Sequence, residues 1–519
     1  MKAKILLIIS TVREALHPPQ KIAPFILKGI IALGITLAIV NFFGFRNLWL
    51  DEAMLALNIK MHSILELLEP LDYGQVAPIG FLLIEKFFAH LLGYTDWSMR
   101  ILPLLFYFWA VYITYLVSLE LIKDRVFALF AAALFSTSWN ILYYSSEVKQ
   151  YMGELSMGLF IVFLALKLSD TKTSKGYGYY AILGSITVWF SHVAILFIST
   201  SAVFLVLKAR GRQILKPLFL VIASWFISFL VYYLLFIHDH PTKGFMINFW
   251  ANLGAFMPQN IASPSFFKDL FEKIQIALVL LTHSNWLRPL FAFLTLVGIF
   301  FLSIKKPSAL WLLLGPVIIH LGLAYLKMYP FHSRLVLYQV PLCVILVSAG
   351  AYLLFAQRKT LPPLITILVL PLLIINNFFS IQEHAFPMKN EEVKPALHYL
   401  NENIEEEDVL FIDDFARAGY AFYLPYFPKI KNLKTEQMVT GICHGDSCTF
   451  TKGSLNQLDR KVWVLTTNLF SRAGRTRKEK LRETFEFFHK QGYELGISKN
   501  FHGASIHKFT KKEKVGLPY

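Results

Sequence analysis

Charge is scarce in this sequence: only 16% of its 519 residues are Asp, Glu, Lys or Arg, where a soluble chain carries about a quarter. Cysteine is nearly absent too, at three residues. Cys343 lies inside an apolar run and reads as a small core residue. Cys443 and Cys448, with four residues between them, leave a disulfide open if their segment is extracytoplasmic. No Cys/His metal-binding pattern, glycine-rich phosphate loop or obvious catalytic triad is present. No small-residue cleavage site follows the first short apolar run, so a cleavable signal peptide is not expected.

What fills the space is apolar residue, 55% of the chain, with 47 Phe. Apolar stretches of about 18 residues or more recur, the length that a hydrocarbon core of about 30 Å requires of a helix. Spans are expected at 24–44, 100–122, 126–145, 153–169, 177–190, 193–208, 215–237, 287–304, 309–327, 335–356 and 361–380. The stretches near 78–92 and 266–282 are ambiguous, giving about 11–13 transmembrane helices. The fold class expected is a polytopic α-helical membrane protein with a small C-terminal α/β domain.

The net charge of +16 does not point to nucleic acid, because much of the excess sits in short clusters between apolar segments. Lys2/Lys4, Lys172/Lys175, Lys208/Arg210/Arg212, Lys305/Lys306 and Arg358/Lys359 form these clusters, which orient helices and favour anionic headgroups of membrane lipids. With the N-terminus cytoplasmic and 78–92 lying on the membrane, every one of them falls inside. The segments around Asp51, Glu147 and Arg334 then fall outside, as does the polar C-terminal region. If 78–92 crossed, the basic loops would face out.

Three domains follow: a cytoplasmic N-terminus at 1–23, a membrane domain at 24–380 and an extracytoplasmic α/β domain at 383–519. In the last, helices are expected at 392–403 and 475–490, and strands at 409–412, 461–466, 494–498 and 504–509. The basic group from Arg472 to Lys480 reads as a solvated helix face.

Three outer segments can carry chemistry. Trp49-Leu50-Asp51-Glu52-Ala53 places two carboxylates just after a span; one can serve as a general base toward a hydroxyl, or both can simply begin a helix. Tyr143 to Tyr151 holds Glu147 and Lys149 among tyrosines, a phosphate-holding pair or an interfacial anchor. Tyr329-Pro330-Phe331-His332-Ser333-Arg334 ends on a basic residue against the orientation rule, suited to a phosphodiester or merely snorkelling. His192, between two apolar stretches, reads as a paired histidine.

These passages resemble the GT-C class of membrane glycosyltransferases, most closely the bacterial family related to protein O-mannosyltransferases and the lipid A aminoarabinose transferase (glycosyltransferase family 39). The likeness lies in Trp49 to Ala53, in Gln75-Val76-Ala77-Pro78 through Gly93, Trp97 and Arg100, and in Glu147-Val148-Lys149-Gln150-Tyr151. Many members have proline where Gln150 stands. The segment Tyr329 to Arg334 resembles a later loop often written with glycine before the arginine, where this chain has Ser333.

The resemblance implies a polyprenyl-phosphate sugar donor and transfer to a glycan, lipid or protein acceptor outside the cytoplasm, in a bacterial inner membrane. It implies Asp51 as base with Glu52 as neighbour and substitute. Glu147, Lys149, Tyr151, Arg334, His332 and Gln75 would line the substrate site, with Lys149 and Arg334 on the donor phosphate. It leaves a divalent cation open, since many relatives work without a metal and others need one. Two other readings compete: a transporter or flippase of lipid-linked sugars, which calls for charges within spans, and a catalytically silent family member.

Overall fold

The computed structural model describes residues 22–171, 175–209, 212–282, 287–356, 386, 388–444, 447–454, 461–467 and 477–511. The N-terminal basic residues up to Lys21, the expected span 361–380 and the cluster Arg358/Lys359 lie outside them, as do Lys172 and Arg210. The described residues fall into two compact units. The first is drawn from Met1–Phe43 and Ser63–Phe386, the second from Gly44–His62 and Pro387–Tyr519.

The first unit is helical. Among the described residues, six helices are long and apolar enough to cross a membrane: Ala23–Phe43, Ser98–Ile122, Tyr151–Ser169, Leu215–Phe236, Arg288–Lys305 and Pro307–Tyr325. Arg125–Ser136, Ala194–Lys208 and Gln339–Phe355 are shorter apolar helices. The chain is an integral membrane protein. The ambiguous stretch 78–92 is the helix Ile79–Leu92, whose 14 residues reach about 21 Å at 1.5 Å each, short of a span. Pro264–Leu281 is 18 residues long but carries Lys268, Asp269, Glu272 and Lys273.

The expected span 126–145 breaks in two, Arg125–Ser136 and Trp139–Tyr144. Asp124 starts the first by accepting from the Val126 and Phe127 amides at 2.8 and 3.2 Å. The Ser136 and Thr137 hydroxyls end it, both bonding back to the Ala133 carbonyl, and Ser138 is extended. The break leads into the segment Tyr143 to Tyr151. Elsewhere the helices meet through glycine: a Cβ on Gly298 would lie 2.0 Å from the Leu346 carbonyl, and one on Gly350 2.0 Å from that of Leu294. Only hydrogen fits, so Arg288–Lys305 and Gln339–Ala351 pack backbone to backbone.

The second unit is built on a six-stranded mixed sheet ordered β3-β2-β1-β4-β6-β5. Its strands are β1 (Val409–Asp413), β2 (Met438–His444), β3 (Ser447–Lys452), β4 (Val462–Thr467), β5 (Tyr493–Phe501) and β6 (Ala504–Lys511). The central strands β1 and β4 run parallel and are buried along their whole length, as continuous apolar runs demand. Helix Val393–Asn403 buries Val393, Ala396, Leu397 and Leu400, a 3.6-residue stripe. Arg477–Lys490 sends Phe487 and Phe488 into the core with Phe411, Val464 and Phe509. Cys443 and Cys448 pair across β2 and β3 and form the disulfide that the sequence left open.

The first-loop helix, Leu50–Met61, belongs to this second unit. The amides of Leu48 and Leu50 donate to the Tyr423 hydroxyl and to a Glu391 carboxylate oxygen, each at 2.8 Å. Lys60 donates to the Phe422 carbonyl at 3.2 Å and lies over that ring at 4.8 Å.

Candidate active site

Asp51 and Glu52 occupy the first turn of Leu50–Met61, where the unsatisfied amides favour negative charge. The two carboxylates differ. Glu52 is fully buried; one oxygen accepts from the Trp49 amide at 3.4 Å and the other lies 3.5 Å from the equally buried Arg46 guanidinium. Asp51 is half-exposed. Glu52 fixes the helix start from inside, and Asp51 is the less buried of the two carboxylates, although its Oδ2 is shielded from solvent.

In the first unit, residues 145–151 of the second loop are all buried. The Asn41 amide holds the loop by donating to the Ser146 hydroxyl at 2.6 Å and the Leu142 carbonyl at 3.2 Å. A tight turn, in which the Lys149 amide donates to the Glu147 carbonyl at 2.7 Å, carries both side chains inward. The Lys149 ammonium donates to the Gln75 side-chain oxygen at 2.5 Å, and the Gln150 amide reaches the Val76 carbonyl at 3.4 Å. Gln75 follows a turn in which Tyr73 and Gly74 both adopt left-handed backbone, at φ 60° and 63°.

Arg334 lies between two aromatic faces, 5.9 Å from the centre of Tyr151 and 5.6 Å from that of Trp250, within the range of cation–π attraction. Tyr151 packs on Tyr144 at 5.5 Å, and Tyr144 on Tyr143 at 5.1 Å. Trp250 also packs on His332 at 5.5 Å. Burial, then the positive charges of Arg334 and Lys273, hold the His332 imidazole below its ordinary value, so it is neutral at pH 7. Its Nδ1 and the Ser333 hydroxyl share a hydrogen bond of 3.0 Å.

Thus Gln75 joins Lys149 and Val76 joins Gln150, while Arg334 meets Tyr151 directly and is linked to His332 through Trp250. Asp51 and Glu52 stand in the other unit.

A cleft of about 120 Å³ opens beside Gln75, lined also by His192, Tyr232, Phe236, Asp239 and His240. His192 is paired, as expected: its Nε2 is 3.0 Å from the Tyr232 hydroxyl and its Nδ1 3.5 Å from Glu154. Glu154, Tyr232, Asp239 and His240 were not singled out by the sequence reading. Glu154 had a signal, a carboxylate near the start of an apolar span, which is costly unless partnered or used. Glu85 is a second such carboxyl, fully buried, with neither oxygen hydrogen-bonded among the described residues. Among the described residues, no group of three or more His, Cys, Asp and Glu side chains gathers as metal ligands would.

No protein-family model matches the sequence, and no curated protein sequence matches it. Solved structures do match. ArnT from Cupriavidus metallidurans in the apo state superposes with a TM-score of 0.52 at 10% identity, over 93% of this chain and 98% of its own. The same protein bound to undecaprenyl phosphate gives 0.50 at 10% identity, over 95% and 99%. The likeness extends nearly end to end on both chains and shows the fold: this is a membrane protein of the GT-C architecture, as the resemblance implied.

Proposed function

We propose that this protein is a glycosyltransferase that moves a sugar from a polyprenyl-phosphate donor to a glycan, lipid or protein acceptor on the extracytoplasmic side of a bacterial inner membrane. The observation that carries this reading is two cations of the first unit, each held by its own partners. Lys149 is buried against Gln75, and Arg334 lies between Tyr151 and Trp250. Cations held this way suit a lipid-linked phosphate, with the planar guanidinium able to grip two oxygens. The similar ArnT structure is bound to undecaprenyl phosphate, which agrees with that assignment.

In this reading an acceptor hydroxyl gives its proton to Asp51 as its oxygen attacks the anomeric carbon. The bond from that carbon to the phosphate oxygen breaks, the anomeric configuration inverts, and polyprenyl phosphate leaves. Lys149 and Arg334 stabilise the charge that develops on the phosphate. Glu147 orients Lys149, Tyr151 backs Arg334, and neutral His332 accepts a hydrogen bond from the substrate. The cleft beside Gln75 offers His192, Tyr232 and His240 to sugar hydroxyls. Glu52 holds the helix that presents Asp51. The disulfide Cys443–Cys448 supports the extracytoplasmic placing of the second unit, because such bonds persist in oxidising compartments. The test is transfer of radiolabelled sugar from polyprenyl-phosphate donors in membranes, wild type against Asp51→Asn at matched expression. Loss in the variant supports the assignment, and equal transfer removes Asp51 from the mechanism.

A further inference from the structure

The second unit carries a groove that this chemistry leaves unused. One wall is a face of helix Val393–Asn403 bearing Lys394, His398 and Glu402, and the other is the end of β5 with Lys499 and Phe501. Phe45 and Asn47, just ahead of the first-loop helix, close it. The groove holds about 600 Å³, within the range of small-molecule sites.

Its surface combines rings with cations. Tyr399 and Phe501 are half-exposed, with ring centres 6.5 Å apart. Phe45 is 55% exposed although its backbone is left-handed, at φ 47°, a conformation that bulky residues rarely adopt. Such outliers cluster at binding sites. The rim carboxylates are already engaged: Glu392 by Lys389 at 3.2 Å and the His502 amide at 3.1 Å, Glu402 by His398 at 3.3 Å. Two lysines lie over ring faces, Lys499 at 5.9 Å from Tyr399 and Lys394 at 5.7 Å from Tyr423. Lys499 makes no ion pair among the described residues.

We infer that this groove binds an acidic sugar of the acceptor glycan, with the rings against its apolar C–H faces and Lys394 and Lys499 on its carboxylate or phosphate. Asn47 ties the groove to the chemistry, since the same segment reaches Asp51 four residues later. The acceptor role rests on the glycosyltransfer reading; the binding itself does not.

The test uses the full chain in lipid nanodiscs, without donor, titrated with hexagalacturonate, with maltohexaose as the neutral control and inorganic phosphate as the bare anion. Wild type should bind hexagalacturonate at least about tenfold more tightly than either control, the worth of one charge-assisted hydrogen bond. The double variant Lys394→Ala/Lys499→Ala should lose that preference, and Lys394→Arg/Lys499→Arg should keep it. Absent binding, equal binding of maltohexaose or phosphate, or an unchanged alanine variant would overturn the proposal. A chain that binds the hexamer but transfers no sugar defeats the glycosyltransfer reading alone. One that transfers sugar yet ignores the hexamer defeats the groove.

Discussion

The first-loop helix start and the second loop are alike in sequence, each placing acidic charge just outside an apolar run, yet the fold treats them differently. At the helix start the two carboxylates divide the work: Glu52 turns inward to Arg46 and the Trp49 amide, and Asp51 stays half-exposed. In the second loop everything from Ser145 to Tyr151 is buried, and Lys149 is met by Gln75. Adjacent residues of one type can therefore hold opposite roles, while a loop between helices can be as buried as a core. In the proposed reading the first region supplies the base and the second holds the donor phosphate.

The sharpest way to break this contrast is to neutralise the less buried acid. Asp51→Asn should lower kcat by about 10²–10⁴-fold, the contribution of a general base, with protein folding unchanged by tryptophan fluorescence. Glu52→Ala should act on stability instead. It leaves Arg46 buried without its carboxylate, a loss of about 3–5 kcal/mol that a lower thermal midpoint and faster proteolysis of the second unit would report. If Glu52→Ala spared stability and abolished only turnover, the division of work would be wrong.

Next in size is Arg334→Ala, which should raise the donor KM by about 10–100-fold through the loss of a charge-assisted contact of about 1.5–3 kcal/mol, with Arg334→Lys in between. Its acceptor KM should not move. The smallest effect belongs to Cys443→Ser/Cys448→Ser. Opening so short a loop should cost about 2 kcal/mol in a thermal melt of the second unit and leave donor KM as it was.

Much of the fold was legible from residues 22–356 because apolar length alone marks a helix in lipid. The helix expected at 392–403 was plain from periodicity, and the strands expected at 409–412 and 461–466 from their short apolar runs. The strand pair Met438–His444 and Ser447–Lys452 was not, since Gly441 and His444 interrupt the run of β-formers and a long-range partner, β1, supplies the order. The break at Ser136–Ser138 was hidden because hydroxyl groups end a helix by local bonding that hydropathy does not register. Nor could composition show that residues 44–62 pack with the C-terminal unit, when their partners Glu391 and Tyr423 lie more than 300 positions away. Within the site, Asp51, Lys149 and Arg334 drew notice as ions beside apolar runs. Gln75 came only from the family likeness; Glu154 carried a signal at the start of its span that went unused, and Tyr232 was hidden inside one.

The most direct measurement is a single-turnover assay on purified protein in nanodiscs, loaded with a polyprenyl-phosphate donor carrying labelled sugar and supplied with glycan, lipid and protein acceptors. Appearance of label on an acceptor with equimolar release of polyprenyl phosphate is the predicted result. Donor recovered intact with every acceptor, particularly if reconstituted liposomes show it moved across the bilayer, would contradict the account and point to a transporter of lipid-linked sugars.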